Sequence, residues 1–199
     1  MNEAEKQAIL ANFEPYFTAI GKLANAYSQL EFSVNDAIWE LANVARSVGV
    51  CMTAQMIGPG PRNRCLLALL KFRNAPQALI DEFNLVGKAI EKAAARRNRY
   101  VHDPISFNPG TGEIQRMEAT ADKHIRYGFM VAEIGALAKL ADDIDNVADA
   151  FDKLYLRAVA ELPAWPRTQF GQSEGILIHR TDQKTGATEP IPPPQSSGE

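Results

Sequence analysis

The chain has 199 residues, of which 46% are hydrophobic and 23% charged, and its formal net charge is −3. That length suits one domain, or one domain with a tail, and the apolar content is enough for a real core, which excludes a wholly disordered chain. The acidic balance excludes a protein that holds nucleic acid through a globally basic surface, while a small local basic site stays compatible with it.

The first predicted element is a short helix over roughly Glu3 to Phe13. After Pro15 the series Ile20, Leu23, Tyr27, Leu30, Val34, Ile38, Leu41 steps by three and four residues, the apolar stripe of a long amphipathic helix. Pro15 suits the first turn of that helix, where its missing N–H costs nothing. Gly58-Pro59-Gly60-Pro61 breaks the chain, and a shorter helix follows over Arg62 to Phe72, with Leu66, Leu67, Leu69 and Leu70 to bury. A further helix starts near Pro76, carries Leu79, Phe83, Val86, Ile90 and Ala93 or Ala94, and ends near Asp103, because Pro104 disfavours helical geometry in the residue before it. Ile105-Ser106-Phe107 and Glu113 to Met117 flank Asn108-Pro109-Gly110-Thr111-Gly112, the pattern of a small hairpin. The last long helix carries Met130, Ile134, Leu137, Ala141, Ile144, Val147, Phe151, Leu154 and Ala158 and stops before Pro163.

Helices with one apolar face each must bury those faces against one another. The expected fold is therefore all-α, an antiparallel helical bundle over residues 1–162 with a small β-hairpin insertion. Residues 163–199 hold six of the twelve prolines and read as a tail, disordered over its last fifteen or so residues, with one short strand expected around Ile176-Leu177-Ile178. The two cysteines, Cys51 and Cys65, form no C-x-x-C and have no histidine at ligand spacing, so neither a metal nor a cofactor is expected. A reduced, cytoplasmic chain with no membrane span and no signal peptide is the simplest reading. Nucleotide-binding glycine loops, serine-nucleophile elbows and zinc-protease motifs are absent from the sequence.

One stretch carries chemistry: Arg96-Arg97-Asn98-Arg99-Tyr100-Val101-His102-Asp103-Pro104, at the end of the helix that begins near Pro76. The stripe Phe83, Val86, Ile90, Ala93 extends to Arg97, so an arginine stands where a hydrophobe is expected, and a buried arginine calls for a partner. His102 follows five residues later, about 140° around an ideal helix from Arg97. The two meet only if the turn before Pro104 is irregular or if two copies share a site. Asn98 sits four residues before His102 and can face it. Cleaving a phosphodiester by internal 2′-hydroxyl attack needs a group that moves a proton and a cation that stabilises charge growing on the phosphoryl oxygens. Histidine and the forked arginine side chain suit these roles, and no metal is required.

Arg97-Asn98-Arg99-Tyr100-Val101-His102 resembles the R-x4-6-H motif of the HEPN superfamily (higher eukaryotes and prokaryotes nucleotide-binding), in which a polar residue commonly follows the arginine. The resemblance covers roughly residues 15–160 in architecture and six residues in motif. It implies a helical bundle with the motif near the end of a late helix. It also implies a homodimer whose two motifs line one cleft, and metal-independent cleavage of RNA in a bacterial toxin–antitoxin or other defence system. By the same resemblance Arg97 would stabilise phosphate, His102 would act as general acid or base, Asn98 would orient the site, and Glu31, in Tyr27-Ser28-Gln29-Leu30-Glu31-Phe32, would pair with Arg97. A tyrosine common two residues after the motif histidine is replaced by Pro104, so regulation through modification of that tyrosine does not carry over.

Blander roles stand beside these. Arg97 and His102 can be a structural helix end, which makes the chain a catalytically inactive dimerisation or adaptor module, or an antitoxin-like partner of another protein. Glu31 can be an ordinary surface acid. Arg96 and Arg99 are either solvated or contacts to RNA phosphate. Arg62, Arg64, Lys71 and Arg73, with no acid among residues 61–73, form a second basic stretch, expected to be a solvated face. The acidic run Asp142, Asp143, Asp145, Asp149, Asp152 is expected to face water.

Overall fold

The computed structural model describes residues 2–121, 125–163, 165, 179–181 and 188–190. The chain divides into two compact units, Met1–Leu162 and Pro163–Glu199. The first is mostly helical. Its elements are α1 (Glu3–Ala42), α2 (Arg46–Thr53), α3 (Pro59–Phe72), α4 (Gln77–His102), β1 (Ile105–Asn108), β2 (Glu113–Ala121), β3 (Ile125–Val131) and α5 (Ile134–Glu161).

The two helices expected on either side of Pro15 are one helix of 40 residues. Asn2 caps it: its side chain accepts from the Glu5 N–H at 2.8 Å while the Glu5 carboxylate accepts from the Asn2 N–H at 2.8 Å, a closed capping box. A proline inside a helix frees the carbonyl four residues earlier. Here that residue is Ala11, which is exposed, so water can take the lost partner's place. The periodic positions Leu23, Tyr27, Leu30, Val34, Ile38 and Leu41 are buried as their spacing predicts.

α2 has no counterpart in the apolar periodicity. Eight residues cannot hold a helix alone in water, and α2 is held by packing on α1. Gly49 sits against the Trp39 ring, and the Trp39 indole N–H donates to the Thr53 hydroxyl at 3.2 Å, which donates to the Gly49 carbonyl at 3.1 Å. Trp39 is thereby core. Gly58, at φ +75°, caps α3, and Pro59 occupies its first turn, so α3 opens inside the breaker rather than after it.

α5 packs along α1 and α4, with α3 wedged between α1 and α4. Phe83 of α4 meets Phe151 of α5 edge to face, ring centroids 6.0 Å apart, in the middle of the core. The expected hairpin is a three-stranded antiparallel sheet, order β1-β2-β3. Met130, assigned to the last helix by its spacing, lies on β3 instead. Its apolar neighbours alternate with a period of two there, and the helical stripe of α5 starts beyond it, with Leu137, Leu140, Ile144, Phe151, Leu154 and Ala158 buried.

In the second unit Trp165 is partly buried, and β4 (His179–Thr181) pairs antiparallel with β5 (Thr188–Pro190). The last fifteen residues, expected to lack regular structure, thus include a strand. The strand expected around Ile176-Leu177-Ile178 lies outside the described residues.

A Cβ added at Gly49 would stand 2.4 Å from two carbons of the rigid Trp39 indole. Gly49→Ala should therefore lower stability by about 1–3 kcal/mol. Gly21→Ala in α1, where an added Cβ meets no atom within 4 Å, should gain up to ~1 kcal/mol from helix propensity. Parallel thermal unfolding followed by circular dichroism measures both.

Candidate functional site

α4 stays regular to its end. The Asp103 N–H bonds the Arg99 carbonyl at 3.0 Å, and Asp103 then turns extended before Pro104, as the proline demands. The irregular last turn that would swing His102 toward Arg97 is not formed. His102 is exposed, with no side-chain partner among the described residues, and one chain does not bring it to Arg97.

Arg97 is half-buried. Its guanidinium lies over the Tyr27 ring of α1, 5.3 Å from the centroid, and its Nη1 donates to the Asn98 carbonyl oxygen at 3.0 Å. Its Nε is buried and has no acceptor. Asn98 therefore turns to Arg97 rather than to His102. The Glu31–Arg97 pair does not form either: Glu31 Oε1 is 3.0 Å from Nη1 of Arg62. Among the described residues no carboxylate accompanies Arg97. Cation–π support on a buried ring steadies the guanidinium.

Arg62 is far from the solvated residue the basic stretch suggests. Its side chain is only 11% exposed. Nε donates to the Asn35 side chain at 2.8 Å, Nη1 to the Gly58 carbonyl at 2.9 Å, and Nη2 reaches the Thr53 carbonyl at 3.4 Å. Arg96, read as solvated or as a contact to RNA phosphate, bonds Asp143 of α5 at 2.9 Å, so Asp143 of the acidic run is paired. Arg99 lies 3.9 Å from Asp103 and reaches the Ala119 carbonyl of β2 at 3.5 Å.

Burial raises the Tyr27 phenol above the ordinary tyrosine range, and Glu31 adds to the rise while Arg62 and Arg97 oppose it. Beside Tyr27 a cavity of about 20 Å³ is lined by Glu31, Asn63, Phe83, Gly87 and Phe151 among others, room for about one water. The Asn63 side-chain oxygen is buried without a donor, and Gly87 lets α3 approach closely, because a Cβ there would strike Asn63.

A second polar cluster closes over the motif's end. Arg116 of β2 donates to Asp103 in an ion pair and stacks over Tyr100, its guanidinium carbon 5.1 Å from the ring centroid. Tyr16 of α1 is fully buried and its hydroxyl has no partner. Burial raises its phenol, Arg116 opposes, and Tyr100 and Asp103 add to the rise. The carboxylate of this cluster directly follows His102 in the chain, a signal the motif string itself offered. Arg116, on a strand after a turn, carried none.

No family model, curated protein or solved structure matches the chain.

Breaking the Arg62 junction should be costly. Arg62→Met should lose about 2–3 kcal/mol, short of the ~3–5 kcal/mol of a fully buried pair because Glu31 is one-third exposed. Arg96→Ala, at an exposed pair, should lose under ~1 kcal/mol. Urea titration of both checks the difference. Tyr16→Phe keeps the ring and removes a buried hydroxyl with no partner, so it should gain about 1 kcal/mol at neutral pH. A raised phenol contributes stability that is full below the unfolded value near 10 and is lost as pH climbs through the folded value. Unfolding free energy of the wild type should therefore fall above pH ~10, and fall less steeply in Tyr16→Phe.

Proposed function

We propose that the chain is a metal-independent endoribonuclease of the HEPN type, acting as a homodimer. The observation that carries this reading is the Arg97 guanidinium: half-buried, held over Tyr27, with a buried Nε lacking an acceptor and no carboxylate beside it, at the end of the helix that also carries exposed His102. A cation kept desolvated and without an anionic partner gains most from a phosphate. In the reaction a 2′-oxygen attacks the adjacent phosphorus, the bond to the 5′-oxygen breaks, and a cyclic phosphate and a 5′-hydroxyl result. His102 moves the proton, and Arg97 stabilises the charge on the non-bridging oxygens. Asn98 fixes the guanidinium through its bond to Nη1. Since Arg97 and His102 do not meet within one chain, the composite site takes them from two copies. A place in a bacterial toxin–antitoxin or defence system follows from the motif's resemblance alone, as does a cognate protein partner.

A second reading is favoured by the same separation of Arg97 from His102, and by the commitment of Arg96 and Arg99 to Asp143 and Asp103. In it the chain is an inactive adaptor of the same build, and Arg97 is a structural cation stacked on Tyr27.

Purified protein in EDTA should cut RNA and leave 2′,3′-cyclic phosphate ends. His102→Ala and Arg97→Ala should each lower the rate by about 100-fold or more. Wild type that is folded yet inert on structured and single-stranded RNA alike overturns the nuclease reading. An Arg97→Ala variant that only melts earlier supports the adaptor.

A further inference from the structure

β1 pairs only with Glu113 to Arg116 of β2. Beyond that point β2 and β3 run on as a two-stranded ribbon, with Met117 across from Phe129, Ala119 from Tyr127 and Ala121 from Ile125. A bare two-stranded ribbon is marginal in water. Yet none of the described residues from Met117 to Val131 belongs to the buried core or packs against it.

The pleat makes this more pointed. Ile105 and Ile114 lie on the sheet face that packs on the core. The opposite face should be polar. Instead it carries Ile125, Tyr127, Phe129 and Val131, which are 87%, 73%, 58% and 51% exposed. β3 is also the sheet's edge, with no strand beyond it among the described residues. The lysines, acids and prolines that guard natural edges are all absent between Ile125 and Val131.

We propose that a second copy of this chain pairs with β3, edge to edge and antiparallel, about a two-fold axis at Gly128. The segment matches itself in that register. Ile125 falls across from the partner's Val131, and Tyr127 across from the partner's Phe129. The two-fold repeats each pair, and no like charges are opposed, because Arg126 falls across from the partner's Met130. An unrelated strand has no reason to be complementary in this way. In that register the apolar side chains of the two β3 strands lie side by side as cross-strand neighbours along the seam, each such pair adding to the stability of the joint sheet. Pairing also satisfies the edge's backbone donors and acceptors. The interface stands whether or not Arg97 and His102 cut RNA, since oligomeric state is read without a substrate.

Sedimentation equilibrium of the full chain should give twice the 21.9 kDa chain mass. Tyr127→Lys/Phe129→Lys sets cation against cation across the pair and should weaken association at least ~100-fold, with the helical dichroism unchanged because both side chains are exposed. Tyr127→Lys/Phe129→Glu sets cation against anion in the same register and should restore the dimer. Gly128→Cys in a Cys51→Ser background gives a reading that does not depend on those variants folding. An added Cβ there meets no atom within 4 Å, and the two-fold places the thiols at disulfide distance. Mild oxidation should cross-link this variant and leave the Cys51→Ser parent single. A wild type that stays monomeric at every concentration overturns the proposal. So does a double-lysine variant that still dimerises, a lysine–glutamate variant that does not, or a folded Gly128→Cys chain that fails to cross-link.

Discussion

Two arginines, Arg62 and Arg97, approach the same turn of α1, and that turn offers one carboxylate. Tyr27 and Glu31 stand one helical turn apart. Arg62 takes Glu31 and fills its other donors with Asn35 and the carbonyls of Thr53 and Gly58. It thereby ties α1 to the end of α2 and the start of α3, satisfying carbonyls that a helix end would otherwise leave to water. Arg97 is left with the face of Tyr27 and the Asn98 oxygen. Had Glu31 turned to Arg97, the motif arginine would be a neutralised structural cation, and Arg62 would be buried without its charge partner. The allocation of one carboxylate thus settles the helix junction and leaves a cation open at the end of α4.

The helices were legible because their burial is local and periodic. The stripes on α1, α4 and α5 are set by which residues recur at three and four, and most of their members are buried, with Ile20, Val86, Ala141 and Val147 partly so and Met130 falling on β3 instead. The failures are equally physical. Pro15 reads as a helix boundary, but its cost depends on what its freed carbonyl meets, and at an exposed first stretch that is water. α2 carries a glycine and β-branched residues with no stripe of its own, and it exists because Gly49 accepts the Trp39 ring, a contact between elements that no window of sequence contains. β3 was hidden by an apolar run whose last members also fit a helical spacing, an ambiguity that short runs carry.

The candidate site was legible in kind and not in pairing. An arginine on the apolar stripe of α4 signalled a special position, and Arg97 is indeed half-buried there. Which acid it meets could not be read, because a salt bridge between elements is fixed by the packing angle of two helices and not by either sequence alone. Arg62 shows the same limit from the other side: a run of basic residues without acids looks solvated until the partner on another helix is known. Asp103 and Arg116 were missed for that reason, although Asp103 adjoins His102.

Net charge illustrates why such pairings matter. Residues 61–73 are wholly basic, Lys88, Lys92, Arg96, Arg97, Arg99 and His102 face only Glu91 within residues 88–102, and residues 133–152 set Lys139 against six acids. A total of −3 averages these blocks. In the fold they partly cancel where they touch: Arg96 with Asp143, and, in the reverse sense, Glu82 of α4 with Arg157 of α5 at 2.7 Å. Charges neutralised across an interface project little field beyond a Debye length of about 8–10 Å. The bundle therefore lacks the broad basic platform on which non-specific nucleic-acid affinity depends. What α4 retains is the half-buried Arg97 guanidinium without a carboxylate partner among the described residues and, apart from it, the exposed His102 imidazole. Partly desolvated contacts around such a guanidinium are screened by salt far less than those of a charged surface.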